Sequence, residues 1–146
     1  MQIYTVVINA VVIFASIYFG YYLGEQSRIN KDKKEAIQML NILQDEINNN
    51  LNNNLQNKFS SEYLSTLGEE VLRGKMGILA DHQKEHLDCF IKIYGQFNNI
   101  NKALSNYIVL EQARNPGKKI RANKELIQLR SSCKKDIKTY LKKTSG

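Results

Sequence analysis

The segment with the most potential for chemistry is DHQKEHLDC, from Asp81 to Cys89, which brings two imidazoles and a thiol close together in sequence. His82, His86 and Cys89 are spaced four and three residues apart, so all three would project from one face of a helix, as metal ligands often do. A structural zinc site needs four ligands, and Cys133 could supply the fourth. Histidines in so charged a first helical turn more often face solvent. We therefore expect no metal site and no other cofactor.

Catalytic motifs are not evident elsewhere in the chain. No serine or cysteine nucleophile has an identifiable base, and no glycine-rich loop could cradle a phosphate. Helical ribonuclease domains of the HEPN type place an arginine four to six residues before a histidine, but the nearest arginine before His82 is Arg73. We expect a protein that is not an enzyme.

The opening stretch predicts a membrane span. From Met1 to Gly24 there is no charged side chain, and the stretch is about the 20 residues that a helix needs to cross a bilayer. Cations follow it, namely Arg28, Lys31, Lys33 and Lys34. A cleaved signal peptide would instead begin with its cations. By the positive-inside rule, Met1 lies outside the cell and the rest of the chain in the cytoplasm, anchored to the inner (plasma) membrane.

Small and polar residues share one face of this predicted span. The residues of this face are Asn9, Ser16, Gly20 and Gly24. Small residues four apart let two helices approach closely, and an asparagine within the bilayer usually faces protein. The pattern predicts self-association, although chance alignment of common residues is the competing explanation.

The rest of the chain predicts helices and no strands. The asparagine-rich stretch INNNLNNNLQNKF keeps its leucines in helical register, within a stripe of Ile37, Leu40, Leu43, Ile47, Leu51, Leu55 and Phe59. We expect a helix from about 33 to 58, a short helix ended by Gly74 and Gly77, a third from Asp81 to the Asn115-Pro116-Gly117 turn, and a last helix. The fold class is therefore all-α: a transmembrane anchor, residues 1–25, and an antiparallel three-to-four-helix cytoplasmic bundle, residues 26–146.

The basic end of the chain suggests a place for lipid contact. Ten cationic residues lie between Lys118 and Lys143, against two acidic ones, in a chain of net charge +7. If the third helix runs back toward the bilayer, Lys118, Lys119 and Arg121 reach the headgroups. We rank three explanations of these charges: a solvent-exposed helix face first, contact with anionic lipid second, and contact with nucleic-acid phosphates third.

Two segments resemble a pattern found in small uncharacterised membrane proteins of bacteria, archaea and phages. They are LQDEINNNL, with Glu46 and Asn50, and LDCFIKIYGQFNNIN, with Tyr94 and Asn101. The resemblance implies one or two N-terminal spans and a cytoplasmic helical bundle, and no activity. These four polar residues flank the apolar stripes, where a polar network could fix the helix register, although ordinary edge residues are the favoured explanation.

We expect a membrane-anchored scaffold, regulator or accessory protein that contacts lipid, forms homo-oligomers and has an unidentified protein partner. One alternative is a membrane-perturbing effector of phage or defence type, in which the small-residue face lines an assembly. The other is a membrane-tethered sensor of nucleic acid or nucleotide that uses the last, basic helix.

Overall fold

A computed structural model of the chain describes residues 2–56, 61–113 and 115–144, with side chains from Val11 onward. The described residues form five α-helices and no strand. The helices are α1 (Gln2–Asn49), α2 (Leu67–Gly74), α3 (Met76–His82), α4 (Lys84–Gln112) and α5 (Pro116–Thr144), and a π-helical turn, Asn50–Asn54, follows α1 directly. The prediction of an all-helical chain is confirmed.

Helix α1 is continuous over 48 residues, about 72 Å at 1.5 Å per residue. Its second half enters the core through a stripe of buried residues, Ala36, Met39, Leu43 and Ile47, and the stripe continues through Leu51 of the π-helical turn and Leu55 after it. The stripe starts one position earlier than predicted, because Ala36 is fully buried whereas Ile37 is 42% exposed. The asparagine-rich stretch is helical as far as Asn54. Burial of the leucines offsets the poor helix propensity of asparagine.

Four successive segments of the chain alternate in direction along the bundle: α1, residues 61–82, α4 and α5. The segment after α1 returns toward the start of the chain, since Ser65 bonds to Asn50 whereas Lys75 pairs with Glu35 at 2.9 Å. Helix α5 also runs against α1. The Tyr140 hydroxyl meets Gln44 at 3.1 Å, whereas Arg130, ten residues earlier, meets the carbonyl of Asn54.

Helix α4 therefore runs parallel to α1. Lys143 of α5 pairs with Glu85 near the start of α4, and Asp136 pairs with Lys92 further along, so α4 and α5 are antiparallel. The expectation that the third helix returns toward the start of α1 is wrong. Residues 61–82 already make that return, and α4 moves away again.

Two helix boundaries differ from the prediction. Gln83, with φ −143° and ψ 42°, separates α3 from α4, so the third predicted helix does not begin at Asp81. Gly77 lies within α3 and does not end a helix. Both differences arise because α3 is too short to show a hydrophobic period of its own.

Among the residues whose side chains are described, no helix carries a stretch both long and apolar enough to cross a bilayer. The predicted span begins at Met1, so its first ten residues lie outside that set. The span stays a prediction.

Removing residues 1–25 should leave the bundle folded, because no residue from Val11 to Glu35 is buried. We expect the free energy of unfolding to change by no more than about 0.5 kcal/mol, as for substitutions at exposed positions. Urea denaturation of the shortened chain and of the detergent-solubilised full chain, followed by circular dichroism, measures this. Loss of cooperative unfolding in the shortened chain would show that the first half of α1 supports the core.

Candidate functional site

Residues 61–66, which directly precede α2, form neither helix nor strand, and we call this segment the strap. Two asparagine amides bind its backbone. The Asn50 side chain accepts from the Ser65 amide at 2.9 Å and donates to the Ser65 carbonyl at 2.9 Å. The Asn101 side chain does the same for Leu64, at 2.8 and 2.9 Å. A primary amide carries both a donor and an acceptor, so each asparagine satisfies one residue of the strap as a neighbouring strand would.

Glu46 fixes the junction of the strap with α2. Its carboxylate accepts from the Ser65 hydroxyl at 2.6 Å, the Gly68 amide at 2.5 Å and the Tyr94 hydroxyl at 2.9 Å. Gly68 lies in the first turn of α2, where a negative charge complements the free amides and the helix dipole. Burial, and then the Glu46 carboxylate, raise the pKa of Tyr94 above its ordinary value, so that its hydroxyl remains a donor.

Arg130 joins the far end of the strap to the end of the π-helical turn that follows α1. Arg130 is only 3% exposed, and its guanidinium donates to the carbonyls of Asn54 at 3.1 Å and Glu62 at 3.2 Å. The carbonyls that end a helix carry partial negative charge, so a guanidinium is a suitable cap. Burial lowers the pKa of Arg130 from its very high ordinary value.

The four polar residues that the sequence singled out, Glu46, Asn50, Tyr94 and Asn101, therefore belong to one network and are not ordinary edge residues. Sequence reasoning missed Arg130 as a member. A signal was present, because Arg130 continues the buried stripe of α5 that also contains Leu126, Cys133 and Ile137, spaced four, three and four apart.

The predicted metal ligands do not share one helix face. His82 ends α3, whereas His86 and Cys89 lie on α4 beyond the break at Gln83. In the part of the chain that the structure describes, no three potential ligands come together. Burial raises the pKa of the Cys133 thiol to about 12, and Cys133 lies in the core.

His86 and Cys89 instead line a cleft of about 230 Å³ between α4 and the end of α5. The His86 Nδ1 atom lies 2.9 Å from the Tyr140 hydroxyl, to which the Gln44 amide donates at 3.1 Å. Tyr140 of α5 thus bonds to both Gln44 of α1 and His86 of α4. This chain of bonds ties α1, α4 and α5 together near the end of the bundle at which α4 begins.

The predicted oligomerisation face is open where its side chains are described. A Cβ atom added at Gly20 or Gly24 would meet nothing within 4 Å. The Ser16 hydroxyl donates to the Val12 carbonyl of its own helix at 2.8 Å, so it needs no partner. Asn9 lies outside the residues whose side chains are described.

The predicted lipid contacts, Lys118, Lys119 and Arg121, lie in the first turns of α5, at the end of the bundle far from the first half of α1. Lys119 pairs with Glu111 at 2.6 Å and lies 5.5 Å from the centre of the Tyr107 ring. Their position removes the geometric reason for placing them at the headgroups. Whether they bind an anion stays a prediction.

Comparison of the chain with protein-family models, with curated proteins and with solved structures returned no match.

Gly68→Ala should destabilise the bundle by about 1–3 kcal/mol, the usual cost of overpacking. A Cβ atom at this position would collide with the Tyr94 hydroxyl, the Glu46 carboxylate and Leu43. Gly95→Ala is the matched control. Its Cβ meets nothing within 4 Å, and alanine in a helix interior is favoured over glycine by up to about 1 kcal/mol. Chemical denaturation measures both, and equal stabilities for the two variants would contradict the close packing at Gly68.

Proposed function

We propose that this chain is a single-pass, membrane-anchored, self-associating scaffold or accessory protein of the plasma membrane, with its bundle in the cytoplasm. The first half of α1 is the anchor. The bundle presents surfaces to other proteins, and it is not an enzyme.

The observation that carries the proposal is the exposure of apolar side chains around the whole circumference of α1. Between Val11 and Leu23, large apolar residues on different sides of the helix are all exposed, among them Val12 at 57%, Phe14 at 73% and Phe19 at 62%. The hydrogen bonds and ring contacts described for this stretch stay within α1. A partner helix would cover one side only, whereas lipid covers every side of a helix that is apolar all round.

The distribution of charged residues along α1 supports an anchor whose C-terminal end lies on the cytoplasmic side of the membrane. No charged residue precedes Glu25, and Glu25 pairs with Arg28 at 2.8 Å on the same helix. Lys31, Lys33 and Lys34 follow within the next turns, as expected on the cytoplasmic side. Because the helix continues unbroken to Ala36, the first buried residue, a straight α1 holds the core about 18 Å beyond Gly24.

The polar network supports a role in assembly over one in catalysis. The hydrogen-bonding groups of Glu46, Asn50 and Asn101 are engaged with the strap, so they hold the fold together. Side chains whose polar groups are bonded to the strap are not free to bind or activate a substrate.

Insertion can be tested by flotation of the full chain with liposomes. We expect wild-type protein to float, and Phe14→Lys combined with Ile17→Lys to stay in solution or aggregate, because each lysine near the bilayer centre costs about 3 kcal/mol. Ile91→Lys combined with Val109→Lys is the control, since these residues are 46% and 60% exposed on α4 and the charge change is identical. Equal flotation of the two variants would refute the anchor.

Self-association can be tested separately by energy transfer between two labelled populations of the full chain in liposomes. Gly20→Leu should weaken association at least tenfold, because leucine keeps the backbones of a small-residue interface apart. Ala15→Leu adds similar bulk on the opposite side of α1 and should leave association unchanged. Wild-type protein that shows no energy transfer, or equal losses in the two variants, would contradict a helix contact through this face.

A further inference from the structure

Helix α5 carries a row of lysines along the side opposite its buried stripe. We define the lysine stripe as Lys124, Ser131, Lys135, Lys138 and Lys142. At 100° per residue these positions lie within about 60° of one another, and from first to last they extend over about 27 Å. The buried residues Cys133, Ile137 and Tyr140 face the other way, into the core.

The charges of the stripe are not neutralised within the fold. In residues 2–56, 61–113 and 115–144, none of its four lysines takes part in an ion pair. Asp136, which follows Lys135 in the sequence, is directed toward α4, where Lys92 contacts it at 3.0 Å and Gln96 at 2.7 Å. Hydrogen bonds from Lys92 and Gln96, and then the positive charges of Lys92 and Lys135, lower the pKa of Asp136.

A shallow groove of about 390 Å³ follows the stripe. Lys134 and Thr139 border it together with Ser131, Lys135, Lys138 and Lys142. All of these side chains carry an ammonium or a hydroxyl group, and none is apolar or aromatic. The Thr139 hydroxyl donates to the Lys135 carbonyl at 2.9 Å, so the donors for a ligand are the lysine ammonium groups and the Ser131 hydroxyl. Such donors suit phosphate oxygens.

The composition of the stripe argues against a protein partner. Protein interfaces are enriched in aromatic residues, methionine and arginine, and they are depleted in lysine and serine. The stripe consists of lysine and serine alone. It also has no arginine to read base edges and no aromatic ring to stack on an unpaired base.

Its direction argues against a bilayer as the partner, a step that depends on the proposed anchor. The stripe runs along the bundle axis, and its near end lies beside Tyr140, which contacts α1 at Gln44. Gln44 is 20 residues beyond Gly24, or about 30 Å, whereas membrane charge is screened within about 8 Å at physiological salt. A membrane surface would therefore not meet the stripe along its length.

We infer that the lysine stripe binds the phosphate backbone of double-stranded nucleic acid, without reading its sequence. A straight row of about 27 Å extends over roughly eight base pairs at 3.4 Å along the duplex axis, and its lysines would contact phosphates where the two strands pass beside α5. The recognition is electrostatic and therefore strongly dependent on salt.

The test is fluorescence anisotropy with a labelled 20-base-pair DNA duplex and the full chain in detergent. Four phosphate contacts predict an affinity that falls about a hundredfold between 50 and 200 mM salt. Lys135→Glu, Lys138→Glu and Lys142→Glu together should reduce binding at least tenfold. The milder triple change to glutamine should reduce the salt slope by about 2.7, since three contacts are lost.

The matched control is Lys118→Glu, Lys119→Glu and Arg121→Glu, which changes the charge by the same amount at the α4–α5 turn. We expect it to bind the duplex within threefold of wild type, with both variants retaining their helix content. Equal losses in the two triple variants would show that net charge alone governs binding and would overturn the inference. Absence of wild-type binding, or stripe-dependent displacement of the duplex by equimolar polyglutamate or phosphatidylserine vesicles, would overturn it as well. The anisotropy measurement uses protein in detergent, so duplex binding can fail or succeed whether or not the flotation experiment supports the membrane anchor.

Discussion

A segment of a helical bundle that is neither helix nor strand has no regular backbone partners, so side chains must satisfy its buried amide and carbonyl groups. In this protein Asn50 and Asn101 bind two consecutive residues of the strap. Glu46 binds its junction with α2, and Arg130 binds the strap to the end of the π-helical turn. The path of the chain after α1 depends on these bonds. These bonds direct residues 61–82 back along α1. Because of that reversal, α4 runs parallel to α1 and α5 runs antiparallel to it.

The same network has a mechanical consequence for α1. Its second half is held by α2, α3 and the hydroxyl of Tyr140, whereas its first half extends beyond the bundle as part of the same unbroken helix. An apolar first half in a bilayer would thus hold the bundle at a fixed height and direction. The start of α4 and the end of α5 would lie nearest the membrane, and the α4–α5 turn farthest from it.

The helical class and the leucine stripe of α1 could be predicted from the sequence because both depend on local spacing. The involvement of Asn50 could be suspected, because it lies between the buried residues Ile47 and Leu51, yet Asn49, Asn52 and Asn53 look the same in composition and face solvent. The direction of α4 could not be predicted. It depends on hydrogen bonds between residues 37 positions apart, such as Leu64 and Asn101, and on a strap that has no hydrophobic period. The geometric reason for placing Lys118, Lys119 and Arg121 near the headgroups depended on that direction.

The most direct measurement for the anchor is the accessibility of spin labels at each position from Val11 to Lys31 of the full chain in liposomes. A Cys89→Ser background suits it, because the remaining cysteine, Cys133, is fully buried. The account predicts that labels from Val11 to Leu23 are shielded from a water-soluble nickel complex on every side of the helix, with a change in accessibility near Glu25. Access of the nickel complex to one side of the helix, with a period of 3.6 residues, or to every position would contradict it.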